Sequence, residues 1–451
     1  MSSVPGSEPA YPNQTYAWYV VGVLVLAYTF SFIDRQILAL LHAPIKADLG
    51  LSDTMFSLLG GIAFASFYTL LGLPIGRLAD RRSRRGIIMV GIAVWSLMTA
   101  VCGLAKNFWQ LFFARMGVGV GEAALSPAAY SMIADYFKPK YLGTAISIYG
   151  MGIYIGSGLA FIVGGVVVDW AVSAPDFNLP VVGTIRPWQL TFFAVGLPGL
   201  LVVFLMMTVK EPARRGVAAK AAAQAEMASV GEVATFVRKR WRTFLGHFLG
   251  FAPLSLIGYG SSAWMPAFFD RTYDGFQVAL WYGTIILIFG PLGIVAGGAL
   301  ADRWRARGHL DSYIRVGILA ALVLIPINIF QPLMPNEWLA IALIVPSAFF
   351  GAMPFGVAPA GLQAITPNRM RGQVSALYLF TVNIIGLGLG PTVIAFATDF
   401  IFKDEALLKY SLSSVGGLTG IWAALMLWFG LSAFRASAKE AEDQIQVTAS
   451  G

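Results

Sequence analysis

The chain has 451 residues, of which 57% are hydrophobic and only 12% charged. Soluble domains carry roughly 25% charged residues, so a water-surrounded globule is excluded. The net charge of +8 does not mark a nucleic-acid binder, because the basic residues fall between apolar runs, where retention of Lys and Arg on the cytoplasmic side of a membrane accounts for them.

In chain order, apolar runs long enough to cross a hydrocarbon core of about 30 Å occupy 18–41, 54–76, 87–105, 109–134, 143–168, 188–209, 243–268, 277–300, 313–332, 337–361, 373–398 and 413–434. They predict twelve helical spans. The short alternating segments of a β-barrel are not seen. The first run exceeds a signal-peptide core and follows a leader without Lys or Arg, so it reads as a retained span. Asn13-Gln14-Thr15 has the form of a glycosylation sequon; on a cytoplasmic tail it reads as chance. Cys102 is the single cysteine, which allows no intrachain disulfide and no cysteine metal site. No serine- or aspartate-protease pattern and no His/Glu metal cluster lies within a span, so neither an enzyme, a metal nor a cofactor is expected.

Loops on one side of these spans hold 23 of the 31 Lys and Arg, among them Arg77, Arg81, Arg82, Arg84 and Arg85 after span 2. The other side holds Lys46, Lys106, Arg186, Arg271, Lys403 and Lys409. By the positive-inside rule both termini are cytoplasmic. The expected layout is a tail, 1–17, a six-helix bundle, 18–210, a cytoplasmic linker, 211–242, a second six-helix bundle, 243–435, and a tail, 436–451. A repeat supports the two halves. Gly76-Arg77-Leu78-Ala79-Asp80-Arg81 ends span 2 and Gly298-Ala299-Leu300-Ala301-Asp302-Arg303 ends span 8, about half a chain length apart. A second echo, Pro139…Gly143 and Pro367…Gly372, precedes spans 5 and 11. Parallel six-span repeats are a transporter arrangement.

These motifs carry a family resemblance. Gly76–Arg85 resembles motif A of the major facilitator superfamily, with Ser83 where a glycine is usual. Arg115…Gly119-Val120-Gly121 resembles its span-4 arginine motif. Gly150, Gly152, Gly156, Gly158, Gly164 and Gly165 resemble the antiporter motif of span 5 without its proline. Phe32-Ile33-Asp34-Arg35 with Gly119–Glu122 looks like the spinster-like lipid transporters. The resemblance implies an all-α membrane protein with the superfamily fold, a monomeric bacterial secondary transporter of the inner cell membrane. It also implies a cytoplasmic lock: Asp80, with Arg81 and Arg85, meets the start of span 11 near Gly372 and Gln373. Asp302 and Arg303 would face the start of span 5 near Gly143. A carboxylate at a helix N-terminus gives such a contact its physics.

Charges inside a span are costly and read as functional. Four occur away from the span ends: Asp34, Arg35, Arg115 and Glu122. Asp34 and Arg115 fall at similar depth and are expected to pair. Glu122 lies two turns, about 10 Å, deeper than Arg115 on the same face. Arg35 points about 100° away from Asp34, free to meet a substrate anion. Asp34 and Glu122 are the candidate proton carriers, Glu122 being the farther from an arginine. Arg35 and Arg115 are candidate head-group ligands. The second half offers Tyr259, Met353 and Phe355 as an apolar or mildly polar wall, and His247 reads as an interfacial residue. Gly117–Gly121, inside an apolar span, reads as helix packing and not as a nucleotide loop. One charged wall and one apolar wall fit an amphipathic, lysolipid- or sphingolipid-like substrate moved with protons. The alternative is a proton-coupled symporter of sugar acids or other small organic anions. Labels at Ala10, Ala222 and Thr448 are expected to report a cytoplasmic position in a membrane-impermeant labelling assay; a periplasmic signal at Ala222 would refute the two-half layout.

Overall fold

No water is at hand inside a bilayer, so a chain that crosses it must satisfy its backbone amides within its own helices. The computed structural model describes residues 11–173, 175–179, 183–214 and 228–450. Among them only one short hairpin, Phe177–Leu179 paired antiparallel with Gly183–Ile185 between spans 5 and 6, is not helical or connecting chain.

Continuous helices form span 1 (Gln14–Leu40), span 3 (Arg84–Cys102), span 5 (Pro139–Val172), span 7 (Trp241–Thr272), span 8 (Ala279–Ala306), span 9 (Ser312–Phe330) and span 10 (Glu337–Ile365). Four spans are interrupted. Span 2 is Asp53–Gly60 with Ile62–Arg81, span 4 is Phe108–Glu122 with Leu125–Tyr136, and span 6 is Pro187–Gly196 with Gly199–Met207. Span 11 runs through Arg371–Val382 and Gly390–Phe396 with π-helical turns at Asn383–Gly388 and Ala397–Phe402. Span 12 continues as helix from Leu408 to Ser450. Side-chain caps set several starts: Ser83 accepts from Gly86 N at 3.1 Å and Asn107 from Gln110 N at 3.0 Å, satisfying amides that the first turn leaves open. Among the described residues ten spans are long and apolar enough to cross a membrane by length and composition alone. The other two are span 4, cut between its two pieces, and span 7, diluted by glycines, serines and His247. The fold is twelve transmembrane helices in two six-helix halves.

The described residues divide into two units, 11–35 with 66–160, 166–173, 175–179 and 183–214, and 36–65 with 161–165 and 228–450. Lipid offers no hydrophobic drive between helices, so close contact rests on small residues. In the first unit spans 3 and 4 cross at Gly91 and Gly121, where a Cβ on Gly91 would lie 2.8 Å from the Gly121 carbonyl. Span 5 lays Gly152 and Gly156 on Tyr28, Thr29 and Phe32 of span 1. In the second unit spans 7 and 12 touch at Gly246 and Gly430, beside a core of Phe244, Phe248, Phe251, Leu427 and Phe434. The linker end, helix Val230–Lys239, buries Val233 and Phe236 in the same core.

Gly293 of span 8 packs so closely on span 10 that a Cβ there would sit 2.0 Å from the Phe349 carbonyl oxygen, whereas nothing lies within 4 Å of a Cβ on Gly298. Gly293→Ala is therefore expected to destabilise by about 1–3 kcal/mol, and Gly298→Ala by less than about 0.5 kcal/mol. Unfolding of the purified protein in detergent measures both.

Candidate functional site

Span 5 presses its glycines on span 1 and so holds the segment Tyr28–Arg35 against its neighbours. The tyrosines beside it are layered, Tyr28 stacking on Tyr149 at 4.7 Å with an interplanar angle of 6°. Two turns beyond Tyr28, Arg35 Nε donates to Glu122 Oε2 at 2.6 Å, and the Ser31 hydroxyl, one turn before Arg35, donates to the same oxygen at 2.6 Å. The guanidinium lies over the rings of Phe32, 4.5 Å to the centroid, and Tyr68, 4.6 Å. The Glu122 side chain is wholly buried and that of Arg35 is 9% exposed. Rings on the guanidinium and a hydroxyl on the carboxylate compensate part of the lost hydration.

Asp34 turns the other way. Its carboxylate accepts from Thr99 Oγ1 of span 3 at 3.2 Å, and its backbone carbonyl accepts from Arg115 Nη1 at 3.1 Å. The four charges do gather, on spans 1 and 4, but the pairing differs from expectation. Arg115 holds the backbone of span 1 at Asp34, and Arg35, turned by one residue toward span 4, is the partner of Glu122. Glu122 is thus the carboxylate in direct contact with an arginine.

Elsewhere the outcome is mixed. Tyr259 is half-buried and Phe355 is exposed. Met353 is no wall residue. It is buried in the core of the second unit, with Gly297 of span 8 against its Cβ, because span 10 is apolar on every face and its pattern does not tell core from surface. His247 is not interfacial either: it is buried, its Nε2 lies 2.9 Å from the Ala358 carbonyl oxygen, and Phe251, Tyr378 and Phe434 surround it. Span 7 begins at Trp241, a turn and a half before it. Of the expected lock, the side chain of Asp80 lies outside the described residues. Arg81, Asp302 and Arg303 are exposed and Arg85 is half-buried. Gln373, at the start of span 11, gives its side-chain amide to the Ala228 carbonyl at 2.6 Å.

The family model "Major Facilitator Superfamily" matches residues 24–391. The chain belongs to the major facilitator superfamily. An "MFS-type efflux pump" of Mycolicibacterium smegmatis is 27% identical over 93% of this chain and 94% of its own length. A "Probable L-galactonate transporter" of Escherichia coli is 26% identical over 64% of this chain and 62% of its own. The crystal structure of a bacterial homolog of the human lysosomal transporter spinster, in an inward-facing and unoccupied conformation, matches with a TM-score of 0.75 at 26% identity, covering 95% of this chain and 98% of that one. The protein is an integral membrane transporter, similar to spinster proteins.

Three polar networks of this superfamily member were not legible as such in its sequence. In the first unit Arg84, the N1 residue of span 3, is fully buried. It donates to Asp135, to Glu211 Oε1 at 2.8 Å, to the Ser131 carbonyl at 3.1 Å and to the Pro212 carbonyl at 2.9 Å. It thereby ties the starts and ends of spans 3, 4 and 6. The second unit repeats the tie with charges reversed: Asp311, before span 9, accepts from Arg435 of span 12 at 2.6 Å and from Arg315 at 2.8 Å. At the opposite ends of the helices, also in the second unit, Asp53 at the start of span 2 is wholly buried. Arg271 from the end of span 7 grips it bidentately at 2.7 and 2.8 Å, and Lys46 adds a second cation. Glu405, before span 12, reaches Lys46 at 2.7 Å and Arg271 at 3.2 Å.

Burial works against ionisation of Glu211, but the Arg85 amide, the Arg84 guanidinium and the Ser83 hydroxyl outweigh it and hold its carboxyl below the usual range. A lowered folded pKa contributes stability that is present above the ordinary value, about 4.3, and is lost as pH falls through the folded one. The stability difference between wild type and Glu211→Gln is therefore expected to shrink as the pH is lowered below about 4. Arg84→Gln, which strands buried Asp135, is expected to cost about 3–5 kcal/mol at neutral pH. Thermal unfolding across a pH series reads both.

Proposed function

We propose that this transporter moves an amphipathic, lysolipid-like anion by alternating access, coupled to protons through Asp34 and Glu122. The observation that carries the reading is the one-sided placement of buried charge. Asp34, Arg35, Arg115 and Glu122 all stand on spans 1 and 4. Within the second half the stretches 243–269, 279–301, 316–330, 338–368, 372–398 and 410–434 contain no Asp, Glu, Lys or Arg. A head group can be held by charge on one side, while an acyl tail needs only apolar surface on the other, with Tyr259 and Phe355 as candidate contacts. The resemblance of Phe32–Arg35 and Gly119–Glu122 to the spinster-like lipid transporters supports the same reading.

The Arg35–Glu122 pair supplies the coupling. While Glu122 is ionised it occupies the guanidinium; once protonated it releases Arg35 to a phosphate or carboxylate, which a guanidinium grips bidentately. Proton and anion therefore load together. Asp53, Lys46, Arg271 and Glu405 serve in this reading as the latch of the outer side. Asp80, Arg81 and Arg85, with Asp302 and Arg303, lock the cytoplasmic side in the opposite state. Both termini are cytoplasmic and the host is the cell's inner membrane.

The second reading, symport of sugar acids, draws on the likeness to the L-galactonate transporter. Binding to the purified protein separates them. A lysolipid series is expected to gain up to about 0.8 kcal/mol per buried methylene, and Arg35→Lys to weaken binding about tenfold. Asp34→Asn and Glu122→Gln are each expected to alter the pH response of transport. Affinity independent of chain length, together with tight binding of gluconate-like acids, would establish the second reading instead.

A further inference from the structure

Asp34 is held differently from Glu122. Its Oδ2 takes the Thr99 hydroxyl at 3.2 Å, and its Oδ1 has no hydrogen-bond partner among the described residues. The groups facing it are Thr99 and Cys102 of span 3, Arg115 and Glu122 of span 4, and Arg35 beside it in span 1. Thr99 is itself wholly buried. Gly196 of span 6 lies directly against it, so that a Cβ on Gly196 would sit 2.8 Å from the Thr99 methyl and 2.9 Å from its Cβ. A helical threonine commonly turns its hydroxyl back on a carbonyl of the preceding turn. Here the methyl lies in the glycine notch and the hydroxyl is given to Asp34.

We propose that Thr99, set by the Gly196 notch, is the positioning residue for the Asp34 carboxyl, holding it in the orientation from which it takes up and releases its proton. The inference rests on the proton-carrier reading of Asp34. A two-torsion carboxyl inside a bundle has several rotamers, and a single donor fixed by packing selects one of them. Span 6 thereby acts on the proton site without contributing a polar group to it.

The test uses the full-length protein in liposomes and compares Thr99→Val, Thr99→Ser and Asp34→Asn. Valine keeps the shape that fills the notch and removes the donor; serine keeps the donor. Thr99→Val is expected to displace the pH profile of transport by about one unit, the worth of one hydrogen bond to a charged group. Thr99→Ser should stay within a few tenths of a unit of wild type. Should the valine variant not fold, Thr99→Ala makes the same comparison against Thr99→Ser. A donor-less variant whose profile superimposes on wild type, while Asp34→Asn abolishes the pH response, overturns the role of Thr99 alone. An unchanged pH response in Asp34→Asn overturns the proton-carrier reading, and this inference with it.

Discussion

A carboxylate and a guanidinium taken out of water lose solvation that several kcal/mol per ion describes, and in a bundle surrounded by lipid nothing but the protein can replace it. The contact of Arg35 with Glu122 is built around that constraint. Two aromatic faces cover the guanidinium, a serine hydroxyl shares the carboxylate, and the glycine face of span 5 brings span 1 near enough for the rest to meet. Remove either ion and the other is stranded at a cost of about 3–5 kcal/mol. Such a pair is stable only while both charges persist, which is what the proposed coupling to a proton and a substrate anion draws on.

The same reasoning orders the polar groups outside the span interiors. Arg84, Asp311 and Asp53 are each fully buried at a helix start and each meets several partners. Isolated surface ion pairs contribute about 0–1 kcal/mol; these are desolvated and multiply bonded, and they fix where helices begin and end. Asp53 differs from the other two because the cations that hold it, Lys46 and Arg271, come from either half of the sequence.

Twelve spans, two halves and the four buried charges were legible because each leaves a mark that composition does not hide: long apolar runs, a repeated Gly…Asp-Arg turn, and ions where none belong. Pairing was not. Adjacent residues such as Asp34 and Arg35 differ by a rotation of about 100°, and helical phase does not say which neighbouring helix lies in each direction. Thr99 and Ser31 carried no signal, since hydroxyls are ordinary in apolar spans. Arg84 was concealed among the arginines of its own loop, and its burial depends on Asp135 and Glu211 arriving from distant parts of the chain. Met353 was misplaced because span 10 has no polar face to orient it.

The reversed polarity of the two ties bears on assembly. The halves carry repeated motifs, and twin bundles emerging one after the other face the hazard that an end of one docks on the start of its sibling. Crosswise docking here would set Glu211 against Asp311 and Arg435 against Arg84, like charge on like, at positions where burial magnifies repulsion. Each bundle is keyed to close on itself, and the second cannot borrow the first one's clasp.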